Sequence, residues 1–101
     1  MAKVFNLTPC AKEDLRSIWN YTFDVWSEAQ ADLYLTELYE RFEWLSEQPR
    51  IGMHRPDICE GYYCFPQSSH LVFYLIHDGE IDIIGVPHKD MDTPGFFESE
   101  T

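Results

Sequence analysis

An α+β fold, with element order β-α-α-β-β-β and a two-helix hairpin packed on a small antiparallel sheet, is predicted by three features of this sequence. Apolar residues recur at three- and four-residue spacing from Ala11 to Leu45. After Gly61 the period shortens to that of strands, and Asp78-Gly79 marks a tight hairpin between two β-rich runs. The length of 101 residues matches one domain, 1–101, since domains commonly run from about 100 to 200 residues.

The first strand candidate covers Lys3 to Thr8, where Val4, Phe5 and Leu7 alternate with polar neighbours as on an edge or half-buried strand. Thr8-Pro9 then starts a helix: the threonine hydroxyl can accept from a free first-turn N–H, and proline fits the first helical position because its missing N–H would be unpaired there. Ala11, Leu15, Ile18, Trp19, Thr22 and Trp26 form one face, with Lys12, Glu13, Asp14, Arg16 and Asn20 on the other, so an amphipathic helix is expected from about 9 to 23. Ser27 offers a second cap, and Glu28 places negative charge where the helix dipole favours it. Ala31, Tyr34, Leu35, Leu38, Phe42 and Leu45 continue at helical spacing until Pro49, which disfavours helix at the residue before it. The short link of residues 24–26 makes the two helices antiparallel neighbours whose apolar stripes need a cover, and a sheet supplies it.

Residues 49–57, with Pro49, Gly52 and Pro56, read as a connector. Gly61 to Phe65 is a strand candidate, Pro66 to Ser69 a turn, and His70 to Ile76 a strand apolar on both faces and therefore central. Asp78-Gly79 has the residues of a type I′ turn, and Glu80 to Val86 returns, giving a three-stranded meander. The tail from Met91 to Thr101 is expected to be loosely held, with Phe96-Phe97 able to dock on the body or on a partner.

Composition excludes several function classes. With 45% hydrophobic and 16% aromatic residues, the chain can bury a core without staples. Eighteen acidic against seven basic residues give a net charge of -11, which repels nucleic acids and anionic bilayers and argues against direct binding to either. Three cysteines, Cys10, Cys59 and Cys64, do not form an even disulfide framework, and neither an apolar leader nor a membrane-length apolar run is present, so a cytoplasmic protein is expected.

His54, Cys59, Cys64, His70, His77 and His88 invite a metal reading, but none stand in the close pairs that let one turn present two donors to a tetrahedral ion, and no metal or other cofactor is expected. Nothing in the spacing requires Cys59 or Cys64 to pair with His70 or His88 as a nucleophile and base, and a free cysteine more often fills a core. The aromatic series Trp19, Trp26, Tyr34, Tyr39, Phe42 and Trp44 is read chiefly as core, with leftover rings forming an interface. Tyr62-Tyr63 should point to opposite faces of a strand, one of them exposed for a partner. Charge is unevenly spread: residues 1–50 hold nine acids and five bases, residues 51–101 nine acids and only Arg55 and Lys89. An RNA-cleaving site needs cations for the developing phosphorane charge, and none lies between Asp57 and His88.

Leu7-Thr8-Pro9-x-Ala11-x-x-Asp14-Leu15-x-x-Ile18-Trp19-x-Tyr21-Thr22, then Trp26-x-x-x-Gln30-Ala31, Pro49-x-Ile51-Gly52, Gly61-Tyr62-x-x-Phe65-Pro66-x-x-Ser69-His70-x-Val72-Phe73-Tyr74 and His88-Lys89-x-Met91-Asp92 resemble the ParE toxins of the RelE/ParE superfamily over about residues 4 to 94. The resemblance implies a RelE/ParE-like fold and the toxin of a bacterial type II toxin-antitoxin pair. Such a toxin poisons DNA gyrase and is neutralised by a ParD-like antitoxin whose C-terminal segment wraps the hairpin and sheet. The scarcity of cations on the sheet favours this branch over RelE relatives, which cut mRNA on the ribosome. The chain departs from the family at Tyr63, Leu75 and Asp90, where basic residues are frequent, and at Pro87, where a hydrophobic residue is usual. An antitoxin contact is expected at Tyr34, Leu38, Trp44, Tyr62, Tyr63 and Tyr74, and a target contact at His88, Lys89 and Phe96; no catalytic residue is assigned. The acidic charge favours an antitoxin with a basic segment. Two rival readings are a ribosome-dependent endoribonuclease using His70, Tyr74 and His88, and a non-toxic relative that only binds an antitoxin.

Overall fold

Thr8 ends one element and starts the next in the computed structural model, which describes residues 5–90. Its N–H donates to the Ile83 carbonyl at 3.1 Å, while its hydroxyl donates to the Ile84 carbonyl (3.3 Å) and accepts from the Ala11 N–H (3.2 Å). One residue thus ties the first strand, β1 (Phe5–Leu7), to the last strand and to the start of α1 (Pro9–Val25). Ser27 caps α2 (Glu28–Glu47) in the same way, accepting from the Gln30 N–H, and Pro49 ends it as expected.

The sheet has the order β1-β5-β4-β3-β2, with β2 at Met53–His54, β3 at Tyr63–Gln67, β4 at His70–His77 and β5 at Glu80–Gly85. The β3-β4-β5 meander is present, and Asp78 and Gly79 both have positive φ (52° and 78°), as a type I′ turn requires. Two features enlarge the expected sheet and make it mixed. β1 runs parallel to β5, Phe5 opposite Ile81 and Leu7 opposite Ile83, because the helical hairpin returns the chain to the far side of the meander. The connector contributes β2, paired antiparallel with Tyr63 and Cys64. Pro66, expected in a turn, lies in β3 instead. It sits beyond the two residues β2 covers, on an outer edge where its missing N–H leaves no ladder bond unmade. Lys3, Val4 and the tail from 91 to 101 lie outside the described residues.

The core lies between the helices and one sheet face. Ala11, Leu15 and Ile18 of α1 and Leu38, Phe42 and Leu45 of α2 meet Val72, Tyr74, Ile81 and Ile83. The other face carries a smaller cluster, Cys64 and Phe73, covered by Ile58 and Tyr62 from the loop after β2. That loop is tied by Arg55, whose guanidinium donates to both Asp57 carboxylate oxygens and whose N–H reaches the Tyr62 carbonyl at 2.7 Å.

Two local devices set the path of the chain beside this core. Between Phe73 and Tyr74 the β4-β5 register shifts, Phe73 facing Gly85 and Tyr74 facing Ile83. The extra residue turns the chain over: Ile84 packs on the second face, but Val86 joins the helix-side core. Beneath the connector, the Tyr74 hydroxyl donates to the Pro49 carbonyl (2.8 Å) and accepts from the Gly52 N–H (3.1 Å). A Cβ at Gly52 would stand 2.4 Å from that hydroxyl, so glycine is needed for this approach. Tyr74→Phe is expected to lower stability by about 1 to 2 kcal/mol, since two half-buried backbone groups lose their partner. Urea unfolding measures it, and a variant as stable as the parent would show that the clasp does not hold the connector.

Candidate functional site

The register shift carries Val86, Pro87 and His88 toward the helices, and with Ser69 and His70 they form the floor of a groove. Ile18, Tyr21 and Thr22 of α1 make one wall; Trp26, Gln30 and Tyr34 make the other. Its volume is about 590 Å³. Past Tyr34 a second recess of about 300 Å³ follows the same side of α2, lined by Glu37, Glu40, Arg41, Trp44 and Gln67. The two adjoin where Tyr34 Oη lies 3.4 Å from the Gln67 carbonyl. They form one track along α2, set by spacing: Gln30, Tyr34, Glu37, Arg41 and Trp44 are three or four residues apart.

The end of the helical hairpin supplies exposed aromatics. Trp26 is 72% exposed and Tyr21 68%. The first was expected on the buried stripe. It leaves the stripe because α1 ends at Val25 and Trp26 is its C-cap, with φ -117° and ψ -82° turning it out of helical phase. Trp19 is half-buried, stacked on Phe23 with ring centroids 5.2 Å apart and donating Nε1–H to Asp32.

The groove floor holds two histidines. His70 and His88 face one another across an isolated antiparallel bridge, their rings T-shaped with centroids 5.3 Å apart. A 2.7 Å hydrogen bond joins His70 Nδ1 to Tyr34 Oη. Burial, and secondarily the neighbouring His88, lowers the His70 pKa to about 4, so the ring is neutral at ordinary pH. Among the described residues one carboxylate lines the groove, that of Asp14, which accepts from the Val86 N–H at 2.9 Å. No Lys or Arg lines the groove among the described residues. Tyr74 is buried, its phenol pushed up to about 12 by desolvation. At about 3.3 Å rise per strand residue it also lies some 13 Å along β4 from His70. The three residues of the endonuclease reading therefore do not converge: His70 and His88 meet, and Tyr74 serves the connector.

The expected partner residues divide in the same way. Tyr34 and Trp44 line the track. Leu38 and Tyr74 are fully buried in the core and offer no surface to a partner, which corrects their assignment as contacts; Leu38 occupies the centre of the stripe that α2 lays on the sheet. Tyr62 and Tyr63 do point to opposite faces, yet neither is fully exposed. Tyr62 covers Phe73 on the second face, and Tyr63 stacks between His54 of β2 and Tyr74 of β4. His88 and Lys89 are exposed at the groove's end, and Phe96 lies outside the described residues. Of the six histidine and cysteine candidates only His70 and His88 come together in the groove, and among the described residues no three potential ligands cluster. Tyr21 and Gln30 were missed as site residues; their one signal is an aromatic and an amide beside, rather than on, the apolar stripes.

A helical hairpin on a five-stranded mixed sheet is consistent with the fold of toxins from type II toxin-antitoxin systems. The family described as ParE toxin of type II toxin-antitoxin system, parDE, matches residues 5–93, and the chain belongs to it. It is 37% identical over 93 residues to "Toxin ParE1" of two Mycobacterium tuberculosis strains, covering 91% of this chain and 95% of theirs. Identity to "Toxin ParE1" of Caulobacter vibrioides is 34% over 90 residues, covering 89% and 93%. The fold is similar to a chain from the solved "Chromosomal ParDE TA system from P. aeruginosa", with TM-score 0.74 at 17% identity over 84% of this chain and 94% of that one.

The histidine environment sets a pH dependence. Folded His70 has a pKa near 4 against an ordinary value of 6.5, so the unfolded chain binds the extra proton between those values. The stability contribution is fully present above about pH 6.5 and declines as pH falls toward 4. Urea unfolding at pH 7 and pH 4.5 should therefore show a smaller pH loss for His70→Gln than for the parent. An equal loss in both would mean that His70 titrates normally in the fold.

Proposed function

We propose that this ParE-family toxin acts in the cytoplasm by binding and inhibiting DNA gyrase, with no chemistry of its own, and that a ParD-like antitoxin neutralises it. The observation that carries the non-enzymatic reading is the composition of the groove. Among the described residues no lysine or arginine lines it beside its two histidines, Lys89 lying outside the lining at the open end, and the one carboxylate on the lining accepts from the backbone of Val86. Phosphodiester cleavage develops charge that such a surface cannot stabilise well. A neutral His70 can still exchange a proton, but it has no phosphate clamp to work with, and the buried Tyr74 cannot provide an accessible phenolate.

Inhibition by occupancy needs different features: exposed rings, a recess that excludes water, and a scaffold that holds both still. Trp26, Tyr21 and the α2 track supply them. The gyrase assignment itself is supported by family membership together with this absence of an RNA-cleaving arrangement. His88 and Lys89, exposed where the groove opens, remain the residues expected to touch the target.

Purified protein added to gyrase and relaxed plasmid should suppress supercoiling while translated messages stay uncut in toe-printing reactions. Site-specific cleavage of those messages, lost in His88→Ala, with supercoiling untouched, would reverse the assignment in favour of the endonuclease.

A further inference from the structure

The track along α2 has a charge pattern that specifies its occupant. Residues 13–40 carry seven acidic side chains and a single basic one, Arg16, which is paired with Glu13 at 3.4 Å. Carboxylates stand in both recesses, Asp14 in the first and Glu37 and Glu40 in the second. Among the described residues one cation lines the track, Arg41, and it is folded inward: its guanidinium carbon lies 4.5 Å from the Trp44 ring centre and 5.0 Å from that of Phe65, and its Nε–H donates to Gln67 at 2.7 Å. The walls between these charges are the aromatic rings of Tyr21, Trp26 and Tyr34.

We infer that the occupant of this track is a cationic amphipathic segment of another protein, with apolar side chains entering the Trp26–Tyr34 recess and Lys or Arg side chains meeting Glu37 and Glu40. It rests on the proposed function in one respect, that this segment belongs to the antitoxin. A second copy of this chain is disfavoured by its own charge of -11, and an anionic surface by the same field. An acidic segment would set carboxylates against Glu37 and Glu40 with only the engaged Arg41 to offset them. Complementary charge gives such a complex its register and its fast, salt-sensitive association, while the rings supply most of the binding energy.

Two synthetic helical peptides of about 20 residues, long enough to follow α2, test this. Both carry the same Leu and Trp anchors, one with Lys and Arg and the other with Glu at the remaining positions, and each is titrated calorimetrically into the full-length protein. The basic peptide should bind, with affinity falling at least tenfold between about 0.05 and 0.5 M salt, and the acidic one should not. Glu37→Lys/Glu40→Lys, both at exposed positions, should weaken the basic peptide tenfold or more. Trp26→Ala should also weaken it, and Glu60→Lys, exposed in the loop that covers the second sheet face, should leave it within twofold; thermal melts confirm that each variant is folded. No binding by the basic peptide, equal binding by the acidic one, or equal damage from Glu60→Lys overturns the inference. Supercoiling assays on the same preparation separate the two readings. Gyrase inhibition without a preference for the basic peptide removes the charge assignment alone, and basic-peptide binding without gyrase inhibition removes the target alone.

Discussion

Everything in this molecule is arranged around one apolar contact, that between the stripe of the helical hairpin and the helix-side face of β4 and β5. Leu15, Ile18, Leu38, Phe42 and Leu45 lie against Val72, Tyr74, Ile81 and Ile83, each withdrawn almost wholly from water. A buried side chain of this size contributes about 1.5 to 3 kcal/mol relative to exposure, so this layer outweighs any single polar contact. The exposed ion pair of Arg16 and Glu13 adds little by comparison. Because the hairpin is pinned in this way, its unburied rings are held at fixed places rather than on a mobile loop.

The register shift in β5 connects that core to the site. Without the extra residue, Val86 would point to the second face with Ile84, and Pro87 and His88 would follow a different path. With it, the chain closes the core at Val86 and then runs beneath the open end of the hairpin, where Pro87 receives the Leu71 N–H and Lys89 donates to the Ser69 carbonyl. The groove is thus a by-product of a strand changing face, and the half-buried His70 lies where that path crosses β4.

Structure that is decided locally was legible in the sequence. Thr8, Ser27, Pro49 and Asp78-Gly79 act on their own neighbours through capping, ring closure or positive φ, and each does in the structure what its chemistry predicts. Structure whose deciding partner is distant in sequence was not legible there. The parallel pairing of Phe5–Leu7 with Ile81–Ile83 crosses more than seventy positions, β2 follows a connector that is tied down by Tyr74 more than twenty residues on, and the bulge leaves no mark on the period of β5. The site was half legible for a similar reason. Tyr34 and Trp44 reach the track because they sit beside the α2 stripe, whereas Leu38 lies on it and is buried; apolar spacing alone does not separate the two. Trp26 shows the opposite error, a residue in phase with the stripe that a helix end releases to solvent.

The central claim is that this chain acts by occupying a protein surface. Its most direct test is the time course of gyrase inhibition at several ratios of the protein to gyrase. An occupying inhibitor gives a loss of supercoiling that is complete on mixing, saturates near equivalence and does not deepen with incubation. Progressive inactivation by substoichiometric protein, continuing for as long as the mixture stands, would contradict the account and require a catalytic step.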